Sequence, residues 1–392
     1  MISVKEAKDI LSRNCEKGRI SEFKLEQSLG KILAEDIHSP MDVPSFDNSA
    51  MDGYAMQFHE KYRHWKVSGL VQAGDTESIE VGPGEAVRIF TGAKMPKGAD
   101  TVIQQELIDK QGNNSIYYNS GKITTGSNVR LKGSQCKKGE KILQKGARIT
   151  PGIIGLLASV GVSKVAIFTP PLVGCVVTGN ELKEVGEQLM DGEIYNSNGP
   201  MLEALLKKTG VGEITALRAQ DDKNELQQTI NKALAENDVL LLSGGISVGD
   251  YDFVKECLES AGVKELFYKI KQRPGKPFYA GKKEEKWVFA LPGNPASVLS
   301  CFNQYVQPCL KTIMGEEQVW QPDLELTLSE ETRKKPGFTF FMKGKKEDGK
   351  VTLLTGQQSF NLQAFSTADC LVELDEEMAV VPKGTMVKVY NL

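Results

Sequence analysis

The chain has 392 residues, 40% of them hydrophobic and 25% charged, so it can bury more than one hydrophobic core and is neither disordered nor fibrous. Its 48 basic and 51 acidic side chains leave a formal charge of -3, with no global excess to steer it to nucleic acid or to an anionic membrane. Three histidines, all within the first 64 residues, and seven scattered cysteines without a CxxC pair argue against zinc or iron, so any metal is expected on carboxylates, which points to magnesium.

The N-terminal MISVKEAKDILSRNCEKG lacks the apolar core of an export signal, and unpaired cysteines suit a reducing compartment, so a cytoplasmic protein is expected. Residues 1 to 40 read as helical, VKEAKDILSRN and then FKLEQSLGKILAEDI, until Pro40 and Pro44 break the pattern. From about 46 to 135 short β-type runs lie between glycine-rich turns, as in WKVSGLVQAGD and ADTVIQQEL, which predicts a small β domain. The apolar stretch from Ile149 to Phe168 is interrupted by Pro151, several glycines and Lys164, so it reads as a buried helix followed by a strand, not as a membrane span.

The next 150 or so residues alternate between strand and helix: PLVGCVV, PMLEALLKKTG, EITALRA, DKNELQQTINKALAEN, DVLLLSGG, DFVKECLESAG, KWVFALPG and PASVLSCFNQYVQPCL. That alternation predicts right-handed βαβ units and a parallel sheet covered on both faces. From about 319 the chain is β-type again, in LELTLSEE, FTFFMKG and VTLLTG, with Glu347-Asp348-Gly349-Lys350 as a hairpin turn.

In an open parallel sheet, ligands bind beyond the carboxyl ends of the strands. The loops expected there are Thr178-Gly179-Asn180-Glu181, Gln220-Asp221-Asp222, the run from Ser243 through Gly244, Gly245, Ser247 and Gly249 to Asp252, and Leu291-Pro292-Gly293-Asn294-Pro295. They would set glycine-exposed amides beside Glu181, Asp222 and Asp252. Asn294 suits a helix N-cap, Pro295 the first helical position and Ser297 the first turn, a combination that favours a phosphate-like anion. Plain helix capping by Asn294 and Asp252 is the structural alternative. Arg273 and Lys276 stand among prolines in QRPGKP, either as an anion clamp or as a stiffened surface turn. No Walker motif, GxGxxG or Cys/His or Ser/His pair is present, so acids with cations point to magnesium-assisted phosphoryl-type chemistry.

The set VPSFDNSAMDGYA, RIFTGAKMPKGADTVIQQE, TGNEL, SGGISVGDYD, PGKP and LPGNPAS strongly resembles the molybdopterin molybdenumtransferase family, which includes the E domain of gephyrin. The resemblance implies a multidomain α/β plus β architecture: an elongated linker domain from 1–45 and 136–170, an inserted β domain at 46–135, an α/β molybdopterin-binding domain at 171–318 and a C-terminal β-barrel at 319–392. It implies a homodimer with residues of both subunits at the active cleft, fed by molybdopterin adenylyltransferase and serving molybdoenzymes. The implied reaction is hydrolysis of adenylylated molybdopterin, dependent on magnesium and molybdate, that releases AMP and leaves molybdenum on the pterin dithiolene.

By position, the resemblance makes Asp52, Glu181, Asp222 and Asp252 essential acids, the last three able to hold magnesium. Thr91, Thr178, Gly244, Gly245, Ser247, Gly249, Arg273, Lys276, Pro292, Asn294, Pro295, Ser297, Lys343 and Ser359 would then face substrate. Asp47, the other acid of the SFDNSAMDGYAM stretch, reads as a turn or capping residue. Gln135, Asn196, Phe338 and Phe360 stand where relatives carry a charged or imidazole group, and Lys343 replaces another basic residue. These departures leave open a catalytically weakened paralogue acting as pterin carrier or scaffold; molybdopterin adenylyltransferase is the other alternative, because it shares the α/β domain.

Overall fold

The computed structural model describes residues 1–392 apart from 78, 112–113, 120, 122 and 247–252, and apart from the side chains of 110 and 111. Helix α1 spans Val4–Asn14 and opens on a capping box, in which Ser3 and Glu6 satisfy each other's backbone amides. The second helix expected before residue 40 does not form. Ile20–Lys24 is a strand, Leu25–Gln27 a single 3-10 turn, and Gly30 turns the chain at φ 77°. Ile32, Leu33 and Ala34 are all buried, and Ala34 donates to the Ala166 carbonyl at 2.9 Å while Leu33 bridges Ile167. Three consecutive buried residues cannot share one helical stripe, so long-range pairing overrides the local periodicity.

The chain gathers into two compact units, residues 22–29 with 35–165, and residues 1–21 with 30–34 and 166–392. In the first, β1 (Gly53–Met56), β2 (His64–Val71), β3 (Glu85–Ile89), β4 (Thr101–Gln104), β5 (Asp109–Gln111) and β6 (Ser115–Tyr117) form one sheet in the order β4-β1-β3-β2-β6-β5. Strand β1 is buried along its length between β3 and β4. A Cβ on Gly53 would stand 2.1 Å from the Ile103 carbonyl oxygen, so only glycine lets this strand close on β4. Asp52 is thereby fixed at the strand's entrance. Asp47 behaves as expected for a turn residue, its carboxylate accepting from the Lys132 amide at 2.6 Å. Helix α2 (Pro151–Ser159) and a strand over Lys164–Phe168 divide the apolar stretch as predicted, but the helix is not the buried one expected, since within it only Leu157 is buried; no helix among the described residues is long and apolar enough to cross a membrane.

The second unit holds β7 (Val173–Thr178), α3 (Asn198–Thr209), β8 (Ile214–Ala219), α4 (Lys223–Glu236), β9 (Val239–Ser243), α5 (Val254–Ser260), β10 (Lys264–Tyr268), β11 (Tyr279–Lys283), β12 (Lys286–Leu291), α6 (Pro295–Cys301) and α7 (Gln307–Ile313). The sheet order is β8-β7-β9-β12-β11-β10. The first four strands are parallel as expected; β11 and β10 add an antiparallel edge that the alternation does not signal. Side chains of successive residues go to opposite faces. Val173, Cys175, Val239, Leu241, Phe289 and Leu291 join one core with α1, α3, α6 and α7, whereas Val176, Leu240, Leu242, Val288 and Ala290 join another with α4 and α5. Both faces being covered is why these strands read as nearly unbroken apolar runs.

Strands β13 (Leu324–Leu328), β14 (Thr339–Glu347), β15 (Lys350–Leu353), β16 (Cys370–Leu374) and β17 (Met386–Asn391) close into a barrel, since β14 pairs with both β15 and β16. Asp348 and Gly349 make the predicted hairpin turn at φ 47° and 74°. Helix α1 is tied to this barrel by Lys8, whose Nζ donates to the Tyr390 hydroxyl at 2.9 Å, and that hydroxyl donates to Glu373 at 2.6 Å.

Gly315 follows α7 at φ 89°, where a Cβ would meet Phe168 at 2.1 Å. Gly315→Ala is expected to lower the stability of this unit by about 3 kcal/mol, combining left-handed backbone strain with overpacking. Urea unfolding should show an earlier midpoint at unchanged slope; a loss below about 0.5 kcal/mol, the range of an ordinary surface substitution, would contradict the packing argument.

Candidate active site

The register of the parallel strands sets the site. Thr178 lies opposite Ala219, Val177 opposite Ser243, and Ser243 opposite Leu291, so the chain leaves four strands at nearly one level. A cavity of about 700 Å³ opens there. Thr178, Gly179, Glu181, Asn196, Asn198, Asp221, Ser243, Gly244, Gly245, Pro292, Asn294 and Pro295 line it, with Ile194, Tyr195, Phe360 and Leu362 adding an apolar portion.

The glycines of this wall are required by geometry. Gly244 has φ 100°, and a Cβ there would lie 2.7 Å from Thr178 Oγ1; at Gly245 it would lie 2.9 Å from Val254 Cγ2. Their backbone can therefore approach a ligand closely. Asn198, in the first turn of α3, fastens the strand ends together: its Nδ2 donates to Ser243 Oγ at 3.0 Å and to the Gly293 carbonyl at 2.7 Å. Thr178 Oγ1 and Asn198 Oδ1 are buried without a hydrogen-bond partner among the described residues. Buried polar atoms are rarely left so, and both belong to residues of the cavity wall. The two acid loops are cross-tied, Asn180 N donating to Asp221 at 3.2 Å and Asp221 N to Asn180 Oδ1 at 3.0 Å.

Of the residues singled out by sequence, Glu181, Thr178, Gly244, Gly245, Pro292, Asn294 and Pro295 meet at the cavity. Asp222 does not; its carboxylate caps α4, accepting from the Asn224 and Glu225 amides, and its neighbour Asp221 takes the place on the wall. Asn294 occupies the N-cap position of α6, but its side chain donates to Ser359 Oγ at 3.3 Å instead of capping. Ser297 is buried in the first turn behind the wall. Arg273 and Lys276 are exposed, and the Arg273 guanidinium stacks 5.0 Å over Phe338. Ser247, Gly249 and Asp252 lie outside the described residues.

Lys343 departs most from expectation. It is 3% exposed, and its Nζ donates to the carbonyls of Gly356, Gln358 and Asn361 at 2.8, 3.2 and 3.0 Å. Its ammonium thus shapes the 356–361 loop. Asn196 keeps the oxygen an aspartate would supply, accepting from the Gly199 amide at 2.9 Å at the start of α3. Asn198, Tyr195 and Leu362 are site residues that motif reading did not select; YNSN carries the first two, but nothing local marks Leu362.

No described group of three or more His, Cys, Asp or Glu side chains is placed to hold a metal by itself. Glu181 and Asp221 are the carboxylates of the wall, which suits magnesium held by one or two carboxylates together with substrate phosphates. In the other unit Asp52 accepts from both the amide and the hydroxyl of Thr91, each at 2.8 Å. Thr91 therefore serves the acid; these bonds, with a smaller effect from Arg88, hold the Asp52 carboxyl below the usual carboxylate range.

Because the folded value is depressed, this group favours folding above the ordinary carboxylate pKa, and that contribution is lost as pH falls through the folded value. Thr91→Val keeps the amide and removes the hydroxyl, so the Asp52 titration, followed by carboxyl NMR, should move upward. An unchanged titration would show that the hydroxyl does not hold the charge.

Residues 2–161 match the family described as MoeA N-terminal region (domain I and II), residues 174–312 the "Probable molybdopterin binding domain", and residues 325–392 the MoeA C-terminal region (domain IV). The molybdopterin molybdenumtransferase of Haemophilus influenzae is 37% identical over 94% of this chain and 92% of its own, and that of Staphylococcus epidermidis is 34% identical over 98% and 92%. The crystal structure of a molybdopterin biosynthesis MoeA protein from Pyrococcus horikoshii superposes with a TM-score of 0.85 at 32% identity, covering 100% of this chain and 99% of that one. The chain belongs to the molybdopterin molybdenumtransferase (MoeA) family of molybdenum cofactor biosynthesis.

Proposed function

We propose that this chain inserts molybdenum from molybdate into adenylylated molybdopterin, with magnesium-dependent release of AMP. The observation that carries the reading is the cavity of about 700 Å³ at the strand ends, walled by glycine backbone and lined by Thr178 and Asn198, each with a buried oxygen that has no partner among the described residues. Its size suits a ligand of this class. Those oxygens can accept from ring or amino N–H groups, and the backbone amides of the Gly244-Gly245 turn suit an anionic oxygen. Asn294 and Pro295 set the start of the α6 helix at the same wall, where its dipole offsets negative charge.

Glu181 and Asp221 would hold magnesium against substrate phosphate, where the ion offsets charge on the phosphorus oxygens. Glu181 can also orient the attacking water, while Arg273 and Lys276 supply cations from the segment that leads into Pro277 of this wall. Asp52, held ionised by Thr91, is a further acid of the same reaction. The reading retains the four-part division at 1–45 with 136–170, 46–135, 171–318 and 319–392, Asp252 as an acid of the third loop, a cytoplasmic homodimer, and exchange with molybdopterin adenylyltransferase and with recipient molybdoenzymes.

A second reading, a pterin carrier with weakened catalysis, is favoured by one pair of observations. Phe338 presents a ring where relatives place a cation, and Lys343 spends its charge on three carbonyls. Purified protein supplied with adenylylated molybdopterin, magnesium and molybdate separates the two. Insertion releases one AMP per pterin and yields cofactor that reactivates an apo-molybdoenzyme; binding without AMP release makes the chain a carrier, and AMP-pterin formation from ATP would make it the adenylyltransferase. Glu181→Gln and Asp52→Asn should each lower kcat about 100-fold or more while the chain stays folded, with an unchanged thermal midpoint for Glu181→Gln and a slightly lower one for Asp52→Asn, which gives up the charged acceptor of the Thr91 bonds. Retention of full activity by either variant removes that acid from the mechanism.

A further inference from the structure

We propose that Phe360 is a specificity-determining residue of this cavity, its ring serving as the platform on which a planar nitrogen heterocycle of the substrate stacks. The proposal rests on the reading of the cavity as the site for adenylylated molybdopterin, and adds which surface receives a ring.

Phe360 lines the cavity while 73% of its surface stays exposed, the highest value among the described large hydrophobic side chains. An exposed phenyl ring gains nothing from water, and covering its face with another planar ring recovers both apolar burial and stacking. The surrounding wall offers both kinds of surface. Thr178, Asn198 and the glycine turn give it polar atoms, whereas Phe360, Leu362, Ile194 and Tyr195 give it apolar surface. Tyr195 is held in place by its hydroxyl, which donates to the Glu187 carbonyl at 2.8 Å.

The loop that presents Phe360 is fastened on both sides of it. Lys343 Nζ donates to the carbonyls of Gln358 and Asn361, two residues before and one after. Gln357 accepts from the Lys343 amide and donates to the Lys343 and Leu354 carbonyls. The adjoining Ser359 accepts from Asn294 Nδ2 through its hydroxyl and from the Ala296 amide, at 3.1 Å, through its carbonyl, which docks the loop on the start of α6. A backbone held this way is ordered before ligand arrives, so the freedom lost on stacking is confined to the Phe360 side chain. Lys343 is then a positioning residue, its buried ammonium replacing direct contact with substrate by control of the loop.

The substrate contains two such rings, adenine and pterin, and stacking serves either. Dissociation constants of AMP and of 6-hydroxymethylpterin, measured by calorimetry for the full chain, for Phe360→Ala and for Phe360→Trp, distinguish them. The ring that rests on Phe360 should bind about tenfold more weakly to the alanine variant and at least as tightly to the tryptophan variant, as expected for loss and retention of one stacked base. Since the side chain is exposed, thermal midpoints should stay level. Alanine affinities within twofold of the parent for both rings would overturn the proposal, as would a Phe360→Ala effect confined to subunit association in light scattering. If the parent chain bound neither ring, the reading of the cavity itself would fail, a result distinct from parental binding that ignores residue 360.

Discussion

The hydrogen bonds that hold β7 between β8 and β9, and β9 against β12, bring Thr178, Ala219, Ser243 and Leu291 to one level. A shift of one residue in any pairing would exchange the two faces of a strand and bury its wrong set of side chains. The alternation of Val173 and Cys175 with Val176 between cores that involve different helices makes such a shift costly. The cavity follows from this register. Loops that leave adjacent strands in step must diverge over one edge, and Asn198, bonded to Ser243 and to the Gly293 carbonyl, locks that edge from the side.

A second constraint comes from the barrel. Burying an ammonium is expensive unless its donors are used, and desolvation accordingly holds the Lys343 pKa below the ordinary lysine value. Three carbonyls of the 356–361 segment answer those donors, so the charge that the barrel takes inside fixes the loop it cannot release. Through Ser359 the same loop meets Asn294 and Ala296, and the start of α6 is shared by both parts of the wall. The wall of the cavity is thus set by one buried cation as well as by strand register.

Much of this was legible in the residues. Continuous apolar runs such as VLLLS fixed the buried strands, and the glycines of TGNEL and SGG marked turns that only glycine can make. What escaped were decisions made by partners distant in sequence. FKLEQSLGKILAEDI has helical spacing, but Ala34 pairs with Ala166; Asp222 resembles its neighbour Asp221, but the amides of Asn224 and Glu225 claim it for a cap. Lys343 is a basic residue in a basic position, and only its burial beside three carbonyls shows that it organises a loop. The antiparallel edge of β11 and β10 adds the same lesson, since short runs with charged residues carry little periodicity.

The proposed binding of adenylylated molybdopterin in the strand-end cavity can be tested by locating its nucleotide. A crystal structure of the chain with AMP, magnesium and molybdate addresses it directly. Nucleotide density is expected within the cavity, with a donor of the ligand on Thr178 Oγ1 or Asn198 Oδ1 and its phosphate against the glycine turn or the start of α6. Nucleotide bound elsewhere, with those two oxygens still unpartnered, would contradict it.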